Sequence, residues 1–312
     1  MEAKKYRLTE THINIGGKIL YQIKALKDFG NVKAGDLGGY IESEENLSQD
    51  NDAWVSGNAW VVSNARVSGN AWVYGNAQVS GDAQVYDNAR VSGNAWVVSN
   101  ARVSGNAWVY GNAQVSGDAQ VSDNARVSGN AWVCGNAQVS GYAWVDGNAQ
   151  VSGNAWVSGD AWVLGDARVS GAAQVSGNAW VYGDAQVSGN AWVYDNARVS
   201  GGALVSGYAQ VSGYAQVYGY AWVYGNAQVS GDAEVKSRED YIVFKNWWSS
   251  ARYFTWTRSN NMWKVGCFFG TGKELIKEAY NDSDISGREY ERIVRYVEEI
   301  MGENYGNKEK AE

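Results

Sequence analysis

Ala107-Trp108-Val109-Tyr110-Gly111-Asn112-Ala113-Gln114-Val115-Ser116-Gly117-Asp118 is two copies of one six-residue phrase. The phrase runs from Asn51 to Lys236 with no insertion or deletion, and valine stands at every sixth position from Val55 to Val235, 31 in all. Alanine keeps the same beat from Ala53 to Ala233. In Ala-x-Val, strand alternation sends Ala and Val to one side and the residue between them to the other. The Gly-Asn pair that follows bends the chain, because both residues tolerate the left-handed backbone region. Each hexapeptide is therefore one short flat face and one corner. A unit this small has no core of its own, so copies must stack and bury a shared one. The pattern predicts an all-β solenoid with Ala and Val inside and Trp, Gln and Arg outside.

Spacing alone leaves the number of faces per coil open. Nine of the twelve repeat-region tryptophans fall in one twelve-residue class, at 60, 72, 96, 108, 132, 144, 156, 180 and 192. A two-faced coil of 12 residues would gather them on one face; duplication of a 12-residue unit would give the same bias. The order aliphatic, x, Gly, Asn, small, x resembles the hexapeptide signature of the LpxA-like left-handed β-helix superfamily, whose coils have three faces. The N-terminal stretch is similar to the start of YdcK-like proteins, a branch of that superfamily named as transferases from their fold. The residues that carry this likeness are Lys5-Tyr6-Arg7-Leu8, Asp28-Phe29, Val32-Lys33-Ala34-Gly35, Gly38-Gly39 and Leu47-Ser48-Gln49. The resemblance implies a left-handed parallel β-helix with three faces and 18 residues per coil, so that the 31 repeats make about ten coils. The two-faced solenoid is the alternative.

The ends do not repeat. Residues 1–50 are expected to form an N-terminal β cap and the start of the solenoid, with strands over Lys5–Thr9 and Lys18–Ala25 turning at Gly16-Gly17. Ile41 and Leu47 fall in the register that alanine later takes. After the β-helix of residues 51–236, residues 237–312 are expected to be an α+β cap of three strands (Tyr241–Lys245, Arg252–Thr257, Met262–Phe268) and two helices. Capping boxes predict the helix starts, Thr271 with Glu274 and Ser286 with Glu289, and Gly302 predicts the final C-cap. This unit resembles segments of uncharacterised prophage proteins.

A net charge of −7 argues against nucleic-acid binding through phosphates. The first residues lack an apolar leader core and no run of about 18 apolar residues exists, so a cytoplasmic protein without membrane spans is expected. Two cysteines, Cys134 and Cys267, are too few for a disulfide framework. The resemblance brings acyltransferases to mind, but those use a histidine base beside a loop. Here the one histidine is His12, in a polar turn, and no loop interrupts the repeats. No cofactor or metal signature occurs; Asp166 and Asp184, one coil apart, are solvated corners before they are cation ligands.

Function is expected on the surface. With three faces, one outward column holds Trp54, Trp72, Arg90, Trp108, Arg126, Trp144, Trp162, Trp180 and Arg198. Arg90 and Arg126 would each sit between tryptophans, a cation–π arrangement. A strip of six tryptophans exceeds the apolar patches usual on monomers. It is expected to meet a second copy, with a trimer implied by the superfamily, or a protein partner, glycan or other small ligand. A secondary candidate is the cluster Trp247, Trp248, Trp256 and Trp263, whose bland reading is a small core. The resulting expectation is a non-enzymatic binding or structural solenoid. A phage-derived inhibitor or decoy for a bacterial protein or signalling ligand, and a degenerate YdcK-like transferase, are the alternatives.

Overall fold

The structure is a computed structural model that describes residues 4–308, and the side chains of residues 4–302.

Between residues 53 and 236 the backbone is a parallel β-solenoid. Every Ala-x-Val contributes a two-residue strand, from Trp54–Val55 to Glu234–Val235, and each strand pairs with those 18 residues away. Three sheets result, of 13, 11 and 10 strands, and the 18-residue period excludes the two-faced coil. Trp108 N–H donates to the Ala125 carbonyl at 2.9 Å, Tyr110 to Val127 at 2.9 Å and Asn112 to Gly129 at 2.7 Å. The same three bonds recur around the coil, so the ladder is continuous through faces and corners. The repeat alanines are fully buried and the repeat valines at most 1% exposed, which makes one methyl-packed core along the axis. Each buried valine contributes about 1.5–3 kcal/mol of transfer free energy.

Corners are built by residues with positive φ, mostly the glycine of the repeat. The asparagines next to them form amide ladders along the axis, such as Asn58 to Asn76 to Asn94 to Asn112 at 3.0–3.1 Å. Asp166 ends one of these runs, accepting from Asn148 at 3.0 Å.

The N-terminal cap begins with a hairpin, Tyr6–Ile15 against Lys18–Ala25, longer in its first strand than expected. Gly16 and Gly17 both have positive φ, as a two-residue turn of this kind requires. The strand Leu37–Ile41 joins the hairpin to the solenoid. Ile41 pairs with Val61 and Leu47 bridges Val67, so both take the valine register rather than that of alanine. Their spacing to those partners is 20 residues, and the chain between Leu47 and Val55 absorbs the difference. Gly39 stands opposite Ala59, where a Cβ would lie 2.4 Å from the Ala59 carbonyl oxygen.

Lys5 is buried in this cap, and its ammonium donates to the carbonyls of Asp50, Asn51 and Ala53 at 3.3, 3.2 and 2.8 Å. Burial lowers its pKa from 10.5 to about 8, against the opposing pull of Asp52 and Asp50. The unfolded chain therefore holds this proton more tightly, and stability rises with pH between about 8 and 10.5. Tyr6 acts in the opposite sense above pH 10: burial raises its pKa, so ionisation in the unfolded chain lowers stability there. The melting temperature is expected to climb from pH 8 to about 10 in the parent and not in Lys5→Met. Parallel pH profiles for the two proteins would refute this account of Lys5.

At the other end are four strands rather than three, Tyr241–Lys245, Tyr253–Thr257, Met262–Val265 and Phe268–Thr271, in one antiparallel sheet. Gly266, with positive φ, turns the chain inside the stretch expected to be a single strand. Helix α1 (Gly272–Asp282) starts at the Thr271–Glu274 capping box as expected. Helix α2 (Asp284–Lys308) starts two residues before the second expected box. Ser283 Oγ accepts from Ser286 N–H, while Glu289 turns to Arg292 instead of back to Ser286. Gly302 lies within α2 and is not its C-cap.

Candidate binding surface

The column expected on one face forms as written. Trp54, Trp72, Arg90, Trp108, Arg126, Trp144, Trp162, Trp180 and Arg198 are successive partners in the 11-stranded sheet. One member is not on the surface. Trp54 is buried at 3% exposure, because Tyr6 and Phe29 of the N-terminal cap pack edge-on against its ring. The outward slot is outward only where nothing covers it, so Trp54 belongs to the cap core and the strip begins at Trp72.

Beyond Trp54, two indoles of the strip reach back along the rod. Trp108 N–H donates to Ser92 Oγ at 3.2 Å and Trp144 N–H to Ser128 Oγ at 2.9 Å, each reaching the corner of the preceding coil. Trp132 and Trp156 make the same bond to Ser116 and Ser140 on the other faces. This gives the repeat's second variable slot a physical reason to be serine: a small hydroxyl receives the ring folded over it. Trp162 stacks on Trp180 at 4.8 Å, and Trp144 meets Trp162 edge-on at 5.2 Å. Of the strip arginines, Arg198 lies over the Trp180 ring at 5.5 Å. Arg90 and Arg126 stand between tryptophans in register, but among the described residues neither forms the expected cation–π contact. Neither forms an ion pair with a carboxylate there either. Their side chains are exposed.

The strip is one wall of a groove. A hollow of about 650 Å³ is lined by Arg90, Trp108, Arg126, Trp144 and Trp162 on one side and by the corner residues Asn88, Asn106, Asn124, Tyr142 and Asp160 on the other. A second, of about 490 Å³, continues it past Trp72 to Gly30 and Asn31 of the cap, sharing Asn88 and Arg90. The asparagine wall is itself a ladder, Asn70 to Asn88 to Asn106 to Asn124 at 3.0–3.2 Å. Reading single columns from the sequence missed the groove, since it arises from two neighbouring columns, Asn and Trp/Arg, two residues apart.

The secondary cluster separates into two parts. Trp256 and Trp263 are buried core of the C-terminal unit, and Trp256 N–H is held by Asn261 Oδ1 at 2.8 Å. Trp247 is 75% exposed and packs edge-on against Trp248, which in turn meets Tyr290. A cleft of about 520 Å³ lies in this unit, lined among others by Arg252, Cys267, Glu278 and Asp282. No periodicity signals it. His12 is exposed on the N-terminal hairpin, with Nδ1 3.0 Å from the Glu10 carbonyl oxygen. Among the described residues no cluster of three or more His, Cys, Asp or Glu has metal-binding geometry, and no helix is long and apolar enough to cross a membrane.

Eight stretches match the YdcK β-solenoid repeat, at 65–81, 83–98, 101–118, 119–135, 149–165, 173–189, 185–201 and 191–207. The chain carries YdcK β-solenoid repeats. The matched stretches and the coils that flank them are continuous in the same three sheets, with one 18-residue layer. No curated protein matches the chain.

Proposed function

We propose that this YdcK-type solenoid is a non-enzymatic binding rod whose Trp/Arg strip, from Trp72 to Arg198, is its contact surface. The observation that carries the reading is the groove: Trp108 and Trp144, half-buried and each bonded to a serine hydroxyl, alternate with Arg90 and Arg126, which have no carboxylate partner among the described residues. Pinned aromatic rings lose little conformational freedom on meeting a partner, and unpaired arginines keep their hydrogen-bonding capacity for one. The stacked backbone supplies stiffness, so the positions of these groups are fixed before anything binds. Association with further copies of the chain, as a trimer, belongs to the same proposal.

The test is the double variant Trp108→Ala with Trp144→Ala. Its circular dichroism spectrum is expected to match the parent, because both side chains lie outside the Ala/Val core. Its mass by light scattering, or the set of molecules retained on the immobilised protein, is expected to change. Unchanged mass together with unchanged retention would overturn the reading.

A further inference from the structure

We propose that the groove binds a linear anionic glycan in which a uronate alternates with a neutral sugar. The inference rests on the strip being a contact surface and specifies what it meets.

The first argument is the repeat. From Trp72 to Trp144 the wall alternates strictly, Trp72, Arg90, Trp108, Arg126, Trp144, one residue per coil. Coils stack at about 4.8 Å, so tryptophans recur every ~10 Å and arginines recur every ~10 Å, half a period out of step. A ligand that matches this wall is itself a linear polymer with a two-unit repeat, one unit offering a flat apolar face and the other an anion. The disaccharide of an extended β-linked glycan has a comparable length, and the C–H face of a pyranose is the flat apolar surface an indole stacks on.

The second argument is charge. The protein carries −7 overall, yet Arg90 and Arg126, in the middle of the groove, are exposed and have no carboxylate partner among the described residues. The carboxylates in the groove lining are Asp52 and Asp160, near its two ends. Asp87 and Asp123, next to the asparagine wall, have their carboxylates on the N–H groups of Gly105 and Gly141. Between those ends the groove lining holds two guanidinium groups and no carboxylate, which suits one carboxylate per disaccharide, and a guanidinium takes a carboxylate in bidentate fashion.

The third argument is the opposite wall. Asn88 and Asn106 each donate one N–H and accept one hydrogen bond along their ladder. A primary amide has two N–H groups and two acceptor lone pairs, so each keeps one of each. Paired donor and acceptor capacity at these successive coils suits hydroxyl groups, which both donate and accept. An acidic peptide matches the arginines but offers neither the flat faces nor the hydroxyls.

Isothermal titration with a hyaluronate hexasaccharide, in which glucuronate alternates with a neutral amino sugar, tests the assignment. Uncharged chitohexaose and polyglutamate are the controls. The hexasaccharide is expected to bind and to weaken with added salt. Arg90→Gln, Arg126→Gln and Trp108→Ala are each expected to weaken it about tenfold or more. Both controls are expected to bind at least about tenfold more weakly than the hexasaccharide. Binding of chitohexaose as tight as that of the hexasaccharide, tighter binding of polyglutamate, indifference to all three substitutions, or no binding would each overturn the assignment. Altered mass or retention in the Trp108/Trp144 double variant without glycan binding would leave the contact surface standing and remove only the glycan.

Discussion

Gly135→Val is expected to lower stability by about 3 kcal/mol or more and to split unfolding of the rod into two transitions, while Gly135→Asp stays close to the parent. Gly135 has φ +71°, and a Cβ there would stand 3.0 Å from both the N and the O of Gly153 in the next coil. Valine meets both obstacles at once, since a β-branched side chain is a genuine outlier at positive φ and the neighbouring backbone cannot move without opening the ladder. Aspartate already occupies equivalent corners. Asp87, Asp123 and Asp195 have φ of 58°, 59° and 59°, and their carboxylates accept the N–H of Gly105, Gly141 and Gly213 at 3.0–3.2 Å. At residue 135 the same bond is available from Gly153 N–H. Because each coil touches only its neighbours, a damaged middle layer uncouples the two halves. Urea unfolding followed by tryptophan fluorescence measures both effects; equal midpoints for the Val and Asp variants would refute the corner argument.

What the sequence made legible, and what it hid, follows from the range of the interactions involved. The hexapeptide states its own core, because Ala, Val and Gly at fixed spacing are constrained by the same backbone environment in every copy. The 18-residue period came from resemblance; hexapeptide spacing is compatible with any whole number of faces, and only the ladder in three dimensions chooses. Trp54 was misplaced because its burial depends on Tyr6 and Phe29, both far from it in sequence and outside the repeat. The two helix starts show the limit of local signals. Thr271 and Glu274 cap each other as their spacing suggests, whereas Ser286 has the same signature but lies two residues inside a helix that Ser283 caps first. In the strip, register was legible and orientation was not: Arg90 and Arg126, placed between tryptophans by pairing, do not stack on them, and Trp108 and Trp144 lie down toward serine hydroxyls instead.

A chain ending at Lys236 is expected to associate end to end into large assemblies, with little or none left in the parent's assembly state. The last coil has no successor to take its outward N–H and C=O groups, and the C-terminal unit does so instead. Thr255 Oγ1 accepts from Gln228 N–H at 2.8 Å, Ser259 Oγ accepts from Glu234 N–H at 2.6 Å, and Tyr241 O–H donates to the Trp222 carbonyl at 2.9 Å. These three contacts fall on the terminal strands of all three sheets. Arg238 adds a cation over the Trp222 ring at 4.0 Å, and the Phe269 ring covers the corner at Gly231. Removing residues 237–312 leaves three unpaired strand edges around an open Ala/Val core, a template for pairing with another chain. A short Ser-x-x-Asx turn marks each end of the solenoid: Ser43 to Asn46, whose amide donates to the carbonyls of Ser63 and Ala65, and Ser237 to Asp240, whose carboxylate accepts from Lys236 and Ser237. The second turn cannot close the edge unaided, because Asp240 is consumed by its own turn and reaches none of the three terminal strands. Thr255→Val with Ser259→Ala separates hydrogen bonding from bulk coverage, and is expected to leave a monodisperse protein whose final coil exchanges its amide hydrogens faster. Size-exclusion chromatography with light scattering decides the main point: a truncated chain that stays monodisperse at the mass of the parent's assembly state, less the missing residues, would show that the C-terminal unit is not what protects this end.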